Sequence, residues 1–132
     1  MTATLLVTPL EAVLRAHGAV MGVRHGRLVA AHFGSVASET AVCLRSVGLA
    51  DGFGRAGVPD DRLALLLLGP RAEDVVQAAG LDARADPDGY EVLVPRDAAA
   101  EAWHRLLQAG EPLGITCVGF DALEHLAVAG RR

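Results

Sequence analysis

Lysine and asparagine are absent from this 132-residue chain, and all 12 of its basic residues are arginine. Without a lysine amine, the chain has no residue for a Schiff base, for anchoring pyridoxal phosphate or for the phosphate cradle of a P-loop. Aromatic residues make up only 4% of the sequence, whereas hydrophobic residues make up 52%. The missing lysine therefore excludes three enzyme classes, and the length and apolar content predict a single domain over residues 1–132.

Positive charge is also scarce. The formal net charge of −4 argues against sequence-independent nucleic-acid binding, which depends on clustered basic residues. Residues 1–58 carry five arginines against three acids, whereas residues 59–132 carry seven against thirteen. We therefore expect no direct nucleic-acid partner, and an anionic ligand should prefer the first half of the chain.

Metal-ligand spacings and long apolar runs are missing too. Cys43 and Cys117 lie far apart in the sequence, and the five histidines form no HExxH pair. No Gly-x-Ser-x-Gly elbow is present, and no apolar run reaches the roughly 18 residues that span a bilayer. The sequence thus predicts a cytoplasmic protein with reduced thiols, no metal and no membrane contact.

Hydrophobic periodicity and turn signals predict alternating helices and strands. Thr8-Pro9-Leu10-Glu11 is typical of a capping box and predicts a helix over 9–17. The helix expected over 35–47 should bury Val36, Cys43 and Leu44 on one face. Further helices are expected over 71–79, 97–109 with Asp97 as its cap, and 121–128, and strands over 19–24, 27–33, 63–68, 90–94 and 115–118. This order predicts an α+β fold with helices packed on one mixed or antiparallel sheet.

Two short patterns have the spacing of known sites or turns. Residues 52–57 satisfy GxGxxG, but a strand-like run follows them where a dinucleotide site needs a helix, so we interpret the match as coincidence. Asp86-Pro87-Asp88-Gly89 is a turn signal ahead of the strand 90–94.

Glu91 is unusual because it lies inside that strand. Tyr90, Val92 and Val94 share one face of the strand, and Glu91 and Leu93 share the other. Glutamate is depleted from strands and costly to bury without good hydrogen bonds. Either this face of the sheet is wet, or Glu91 belongs to a binding site.

Short motifs across nearly the whole chain resemble those of glycine-cleavage T-proteins, the aminomethyltransferases that bind tetrahydrofolate. The clearest is Asp88-Gly89-Tyr90-Glu91-Val92-Leu93-Val94-Pro95, which is similar to the family's DG(F/Y)E(I/L)xVP strand. The others follow in the family's order: Thr8-Pro9-Leu10, Gly18-Ala19-Val20-Met21, His32-Phe33-Gly34-Ser35 with Glu39, Val47-Gly48-Leu49-Ala50-Asp51, Leu68-Gly69-Pro70, and Trp103 to Gly119.

The resemblance implies an aminomethyltransferase-like fold that binds tetrahydrofolate or formyl-tetrahydrofolate, with one-carbon transfer as its chemistry. It assigns Glu91 as the main folate ligand, because a carboxylate pairs well with adjacent N–H donors. Tyr90, Arg24 and Met21 are further folate-binding candidates. Asp51 and Glu91 are the candidates for general acid or base.

Departures from the family pattern suggest other roles. Gly69-Pro70 and Glu91 are only about twenty residues apart, where the family has a long catalytic stretch, and Leu123 stands where the family has an arginine. The chain also resembles the folate-binding N-terminal domain of tRNA-modifying GTPases, which implies a homodimer. The alternatives are a non-catalytic subunit of a sarcosine-oxidase-type or other larger oxidoreductase, and a repurposed small-molecule enzyme.

Overall fold

The computed structural model describes residues 5–86 and 89–129. Its strands and helices form two sheets and five α-helices, which confirms the predicted α+β class. In chain order the elements are β1 (Leu6–Val7), α1 (Glu11–Ala16), β2 (Val20–Arg24), β3 (Arg27–His32), α2 (Val36–Arg45), β4 (Gly48–Asp51), β5 (Arg62–Leu68), α3 (Ala72–Ala79), β6 (Arg84–Asp86), β7 (Gly89–Pro95), a 3-10 turn (Arg96–Ala98), α4 (Ala99–Gly110), a second 3-10 turn (Glu111–Leu113), β8 (Thr116–Cys117) and α5 (Phe120–Ala129).

The larger sheet has the strand order β6-β7-β5-β4-β8, and its central strand is buried on both faces. β5 is antiparallel to β4 and β7, and β8 runs parallel to β4. Leu63, Leu65 and Leu67 pack with α3 and α4 on one face. Leu66 and Leu68 pack on the other face, beneath α5. An unbroken apolar run is what a strand covered on both sides requires.

The smaller sheet has the order β1-β3-β2 and makes the prediction of one sheet wrong. β2 and β3 form an antiparallel hairpin, and its turn residues His25 and Gly26 both adopt positive φ, 52° and 76°. β1 adds parallel to β3. After β3 the chain enters α2, and β4 pairs with β5 and β8 instead of with β3. Periodicity identifies strands but not their partners, which explains the error.

Two helix starts differ from the prediction. α1 begins at Glu11, two residues after the predicted start, and the Thr8 hydroxyl donates to the Asp51 carboxylate while accepting from the Leu10 N–H at 3.3 Å. The 3-10 turn Arg96–Ala98 precedes α4, and Asp97 makes no side-chain cap. Both helices therefore begin two residues later than local propensity predicts.

α2 forms where it was predicted, and its buried face is confirmed in part. Ser35 accepts the Ser38 N–H at 3.2 Å as the N-cap, and Cys43 is buried. Leu44, expected on the buried face, is 66% exposed. The prediction for Leu44 was wrong because the helix rests on a narrow contact along Glu39 and Cys43.

The hairpin between β6 and β7 brings Asp86 opposite Gly89. The predicted turn residues Pro87 and Asp88 lie outside the described residues. A side chain at Gly89 would meet the backbone of β5, because an added Cβ would lie 1.9 Å from the Leu67 carbonyl oxygen. Glycine at this position therefore allows β7 to pair closely with β5.

Trp103 on α4 provides a test of the core. The indole is fully buried, and its Nε1 has no hydrogen-bond partner among the described residues. We expect Trp103→Ala to lower the free energy of unfolding by about 3–5 kcal/mol. Trp103→Phe should cost less than half as much, because it also removes an unsatisfied N–H.

Urea denaturation followed by far-ultraviolet circular dichroism measures both variants, with the exposed Leu44→Ala as the control. The control should change stability by less than about 0.5 kcal/mol. Equal losses for Trp103→Phe and Trp103→Ala would contradict this description of the core.

Candidate functional site

A cavity of about 330 Å³ lies between α5 and one face of the five-stranded sheet. Its apolar wall comes from β5 and α5 and consists of Leu66, Leu68, Phe120, Leu123, Leu126 and Ala127. Its polar lining consists of Asp51, Arg55, Asp86, Tyr90 and Glu124. An apolar cavity with a few convergent polar groups is the usual form of a small-molecule site.

Glu91 lies on the same face of the sheet and is only 3% exposed. Arg55 Nε donates to Glu91 Oε2 at 3.0 Å, and Arg84 pairs with Oε1. Arg55 Nη2 also reaches Asp86 Oδ2 at 2.7 Å. A buried carboxylate needs such partners, because hydrogen bonds and ion pairs must offset the free-energy cost of removing its charge from water. The face of β7 that carries Glu91 is therefore not wet.

The sequence interpretation missed both arginines, although a signal existed for one of them. Asp86 pairs with Gly89, and the same register places Arg84 directly opposite Glu91. Arg55 follows a tight turn in which its N–H donates to the Gly52 carbonyl at 3.1 Å. No pattern in the sequence connects this loop to a strand 36 positions later.

The structure brings together some of the predicted site residues and separates others. Asp51 and Tyr90 line the cavity, and Glu91 contacts it through Arg55, which lines the cavity itself. The side chain of Tyr90, however, packs against the main core cluster on the face opposite Glu91. Arg24 and Met21 are not among the lining residues. Both lie on β2, where Met21 packs against the main core cluster.

Arg24 instead anchors α5. Its Nε and Nη2 donate to the two carboxylate oxygens of Asp121 at 2.9 and 3.0 Å, a bidentate pair. This pairing holds the pKa of Asp121 below its usual value. The pair joins β2 to the first turn of the helix that walls the cavity.

Glu39 fixes the other approach to α5. It is 3% exposed and accepts three backbone N–H groups, from Phe33 at 3.0 Å, Ser35 at 3.1 Å and Gly119 at 2.8 Å. Gly119 immediately precedes α5. Glu39 thus ties the start of α2 to the start of α5, which is a structural role.

Asp51, at the end of β4, is the cavity residue with the most altered acidity. Burial raises its pKa to about 6, although hydrogen bonds from the Thr8 hydroxyl and the Phe53 N–H lower it. The Phe53 nitrogen lies 3.0 Å from Asp51 Oδ1. A carboxyl group with a pKa near neutrality can exchange a proton with a ligand under physiological conditions.

The thiols have the opposite character. Burial, reinforced by the charge of Glu39, raises the pKa of Cys43 and of Cys117 to about 11. Both therefore remain protonated and are poor nucleophiles at neutral pH. Across residues 5–86 and 89–129, no group of three His, Cys, Asp or Glu side chains is placed to hold a metal ion. None of the described helices is long and apolar enough to cross a bilayer.

Comparison with known proteins supports the fold. No protein-family model and no curated protein sequence matches the chain. The structure is similar to the crystal structure of glycine cleavage system aminomethyltransferase T from Bartonella henselae, with a TM-score of 0.73 and 15% identity. The similarity covers 90% of this chain and 61% of that one, so this chain spans less than two thirds of its length. The predicted aminomethyltransferase-like fold is confirmed.

The raised pKa of Asp51 should make stability depend on pH. Because the pKa rises from 3.8 to about 6 on folding, the folded chain holds this proton more tightly than the unfolded chain does. The resulting stability is complete below pH 3.8 and is lost as the pH rises through about 6. We measure the free energy of unfolding by urea titration at several pH values across this interval. As the pH rises, the free energy of unfolding of the native chain should fall by on the order of 3 kcal/mol more than that of Asp51→Asn does.

Asp121→Asn is the matched control for this experiment. The pKa of Asp121 is lowered by Arg24, so its titration lies below the interval in question. The control should therefore retain the native slope of stability against pH. A native slope in Asp51→Asn as well would show that Asp51 is not the titrating group.

Proposed function

We propose that this chain is a minimal aminomethyltransferase-like domain that binds a reduced folate, or a similar small anionic ligand, in the cavity beneath α5. The observation that carries the proposal is the cavity itself, where Asp51 and Arg55 meet an apolar wall beside the buried Glu91. The fold similarity supports the choice of ligand class, since the similar structure is an aminomethyltransferase.

The dimensions of the cavity fit one part of such a ligand. About 330 Å³ accommodates a bicyclic ring, and the remainder of a folate would extend outside. Leu66 and Leu68 offer one apolar surface to the ring, and Phe120 on α5 offers another. A flat aromatic ring between a sheet and a helix buries both of its faces.

The position of Arg55 determines whether Glu91 can contact a ligand in the cavity directly. Both oxygens of Glu91 already accept from arginines, and Arg55 lines the cavity whereas Glu91 does not. A direct contact between Glu91 and a ring N–H therefore requires Arg55 to move, which its 40% exposed side chain permits. When Arg55 stays in place, it contacts the ligand and Glu91 positions it.

Proton transfer in a one-carbon reaction falls to Asp51 in this proposal. Its pKa of about 6 suits a general acid or base at neutral pH. Glu91 is the second candidate, but its ion pairs with Arg55 and Arg84 favour a binding role. In this proposal Asp51 exchanges protons with the ligand, and Glu91 binds the ligand directly or positions Arg55.

Self-association is part of the proposal. Leu6 and Val7 on β1, and Val20 and Val23 on β2, are large apolar side chains with 41–55% exposure, and these strands form both edges of the smaller sheet. Exposed apolar edges are sites of strand pairing. We propose a cytoplasmic homodimer, consistent with two free cysteines, and the alternative is that a larger oxidoreductase covers these edges.

Calorimetric titration with tetrahydrofolate and with formyl-tetrahydrofolate tests the ligand. Trp103 packs on the opposite side of the sheet, so its fluorescence is a poor reporter. We expect saturable binding that weakens about tenfold in Glu91→Gln, the effect of one charge-assisted hydrogen bond. Ala127→Trp should abolish binding by filling the cavity from an exposed position.

Glu101→Gln is the control, because Glu101 is exposed on α4 and lines no part of the cavity. Circular dichroism establishes that each variant is folded. If the native chain binds neither folate, or if Ala127→Trp binds as tightly as the native chain, the proposed site is wrong.

Light scattering after size-exclusion chromatography tests the dimer. The native chain should have twice the 13.7 kDa mass of one chain. Val23→Lys should give monomers, because a charge on the edge strand opposes pairing. Leu44→Lys adds the same charge to an exposed position on α2 and should leave the dimer intact. A monomeric native chain would contradict the homodimer.

A further inference from the structure

A second cavity, of about 310 Å³, adjoins the first. Gly52, Phe53 and Arg55 line both cavities, so the turn that contains them is a shared wall. The second cavity differs in charge, because its lining includes one acid and four arginines. These residues are Asp60, Arg27, Arg55, Arg62 and Arg96.

Three of the four arginines have no acidic partner among the described residues. Arg55 is neutralised by Glu91 and Asp86, but no carboxylate forms an ion pair with Arg27, Arg62 or Arg96 in the described part of the chain. Set against the single charge of Asp60, these three leave an excess of two positive charges. This excess occurs in a chain whose formal net charge is −4. Like charges gathered around one cavity repel each other unless an anion enters.

Contacts with the shared turn hold two of these side chains in position. The Arg96 guanidinium carbon lies 5.7 Å from the centre of the Phe53 ring, which is the distance of a cation–π contact. Arg27 packs closely on Gly54, where an added Cβ would lie 2.3 Å from Arg27 Nε. The Arg96 N–H also donates to the Asp61 carbonyl at 3.2 Å. Side chains that are ordered in advance lose less entropy when a ligand arrives.

We propose that the second cavity is an anion-binding site for a small molecule with two or more negatively charged oxygen groups, held by Arg27, Arg62 and Arg96. Guanidinium groups match carboxylates and phosphates through paired N–H donors, so both ligand chemistries fit. The residues that hold this anion are inferred without reference to the ligand proposed for the first cavity. Because Arg55 lines both cavities, an anion here also affects the turn against which the first ligand packs.

Isothermal titration calorimetry with inorganic pyrophosphate and with citrate tests the site and separates the two ligand chemistries. Ionic strength is kept low and constant, because salt screens partly exposed charges. We expect saturable binding of one ion per chain. Tighter binding of pyrophosphate identifies a phosphate site, and tighter binding of citrate identifies a polycarboxylate site.

Arg27→Gln and Arg96→Gln should each weaken binding about tenfold, the effect of losing one charge-assisted hydrogen bond. Arg45→Gln removes the same charge from α2, lines neither cavity and should leave the affinity unchanged. The variants should remain folded, because the replaced guanidinium groups lack carboxylate partners. A thermal melt without anion checks this, and a cooperative transition shows that the variant is folded.

Two results would overturn the anion site. One is the absence of saturable binding of both ions to the native chain at low ionic strength. The other is an equal loss of affinity in Arg45→Gln and Arg96→Gln, which would mean that net charge alone attracts the ions.

Discussion

The carboxylate of Glu91 is buried in a sheet, and its two oxygens face the guanidinium groups of Arg55 and Arg84. A charge in that position is tolerated only when it is paired, so the two arginines are fixed along with it. Arg84 holds the edge strand β6, and Arg55 holds the turn that begins at Gly52. Because that turn separates the two cavities, the shape of both sites depends on one buried acid.

Two other carboxylates, those of Glu39 and Asp121, fix the position of α5 through hydrogen bonds. Glu39 accepts the Gly119 N–H just before the helix, and Asp121 in its first turn receives both donors of Arg24. These contacts join α2 and the smaller sheet to the helix that covers the larger sheet. These contacts hold α5 above Leu66 and Leu68, and the space that remains between the helix and these two residues is the first cavity.

Much of the fold follows from local patterns that are legible in the sequence. The run from Leu63 to Leu68 is a doubly covered strand, His25-Gly26 is a hairpin turn, and Ser35 caps α2. Predictions failed where a long-range partner overrides local preference. Thr8 bonds to Asp51 and α1 begins only at Glu11, and the β2–β3 hairpin forms its own sheet.

The sequence by itself determined the α+β class, the reactive side chains that are present, and the unusual position of Glu91 inside a strand. Periodicity and residue type are local properties, so they can be read without the fold. Only the tertiary structure decided that Arg55 and Arg84 are the partners of Glu91, that Asp51 and Arg55 share a cavity, and that Arg24 and Met21 stand apart from it. It also gathered Arg27, Arg62 and Arg96 around one space. Chain distance sets none of these proximities, since strand pairing and helix packing bring together residues that local preference treats as unrelated.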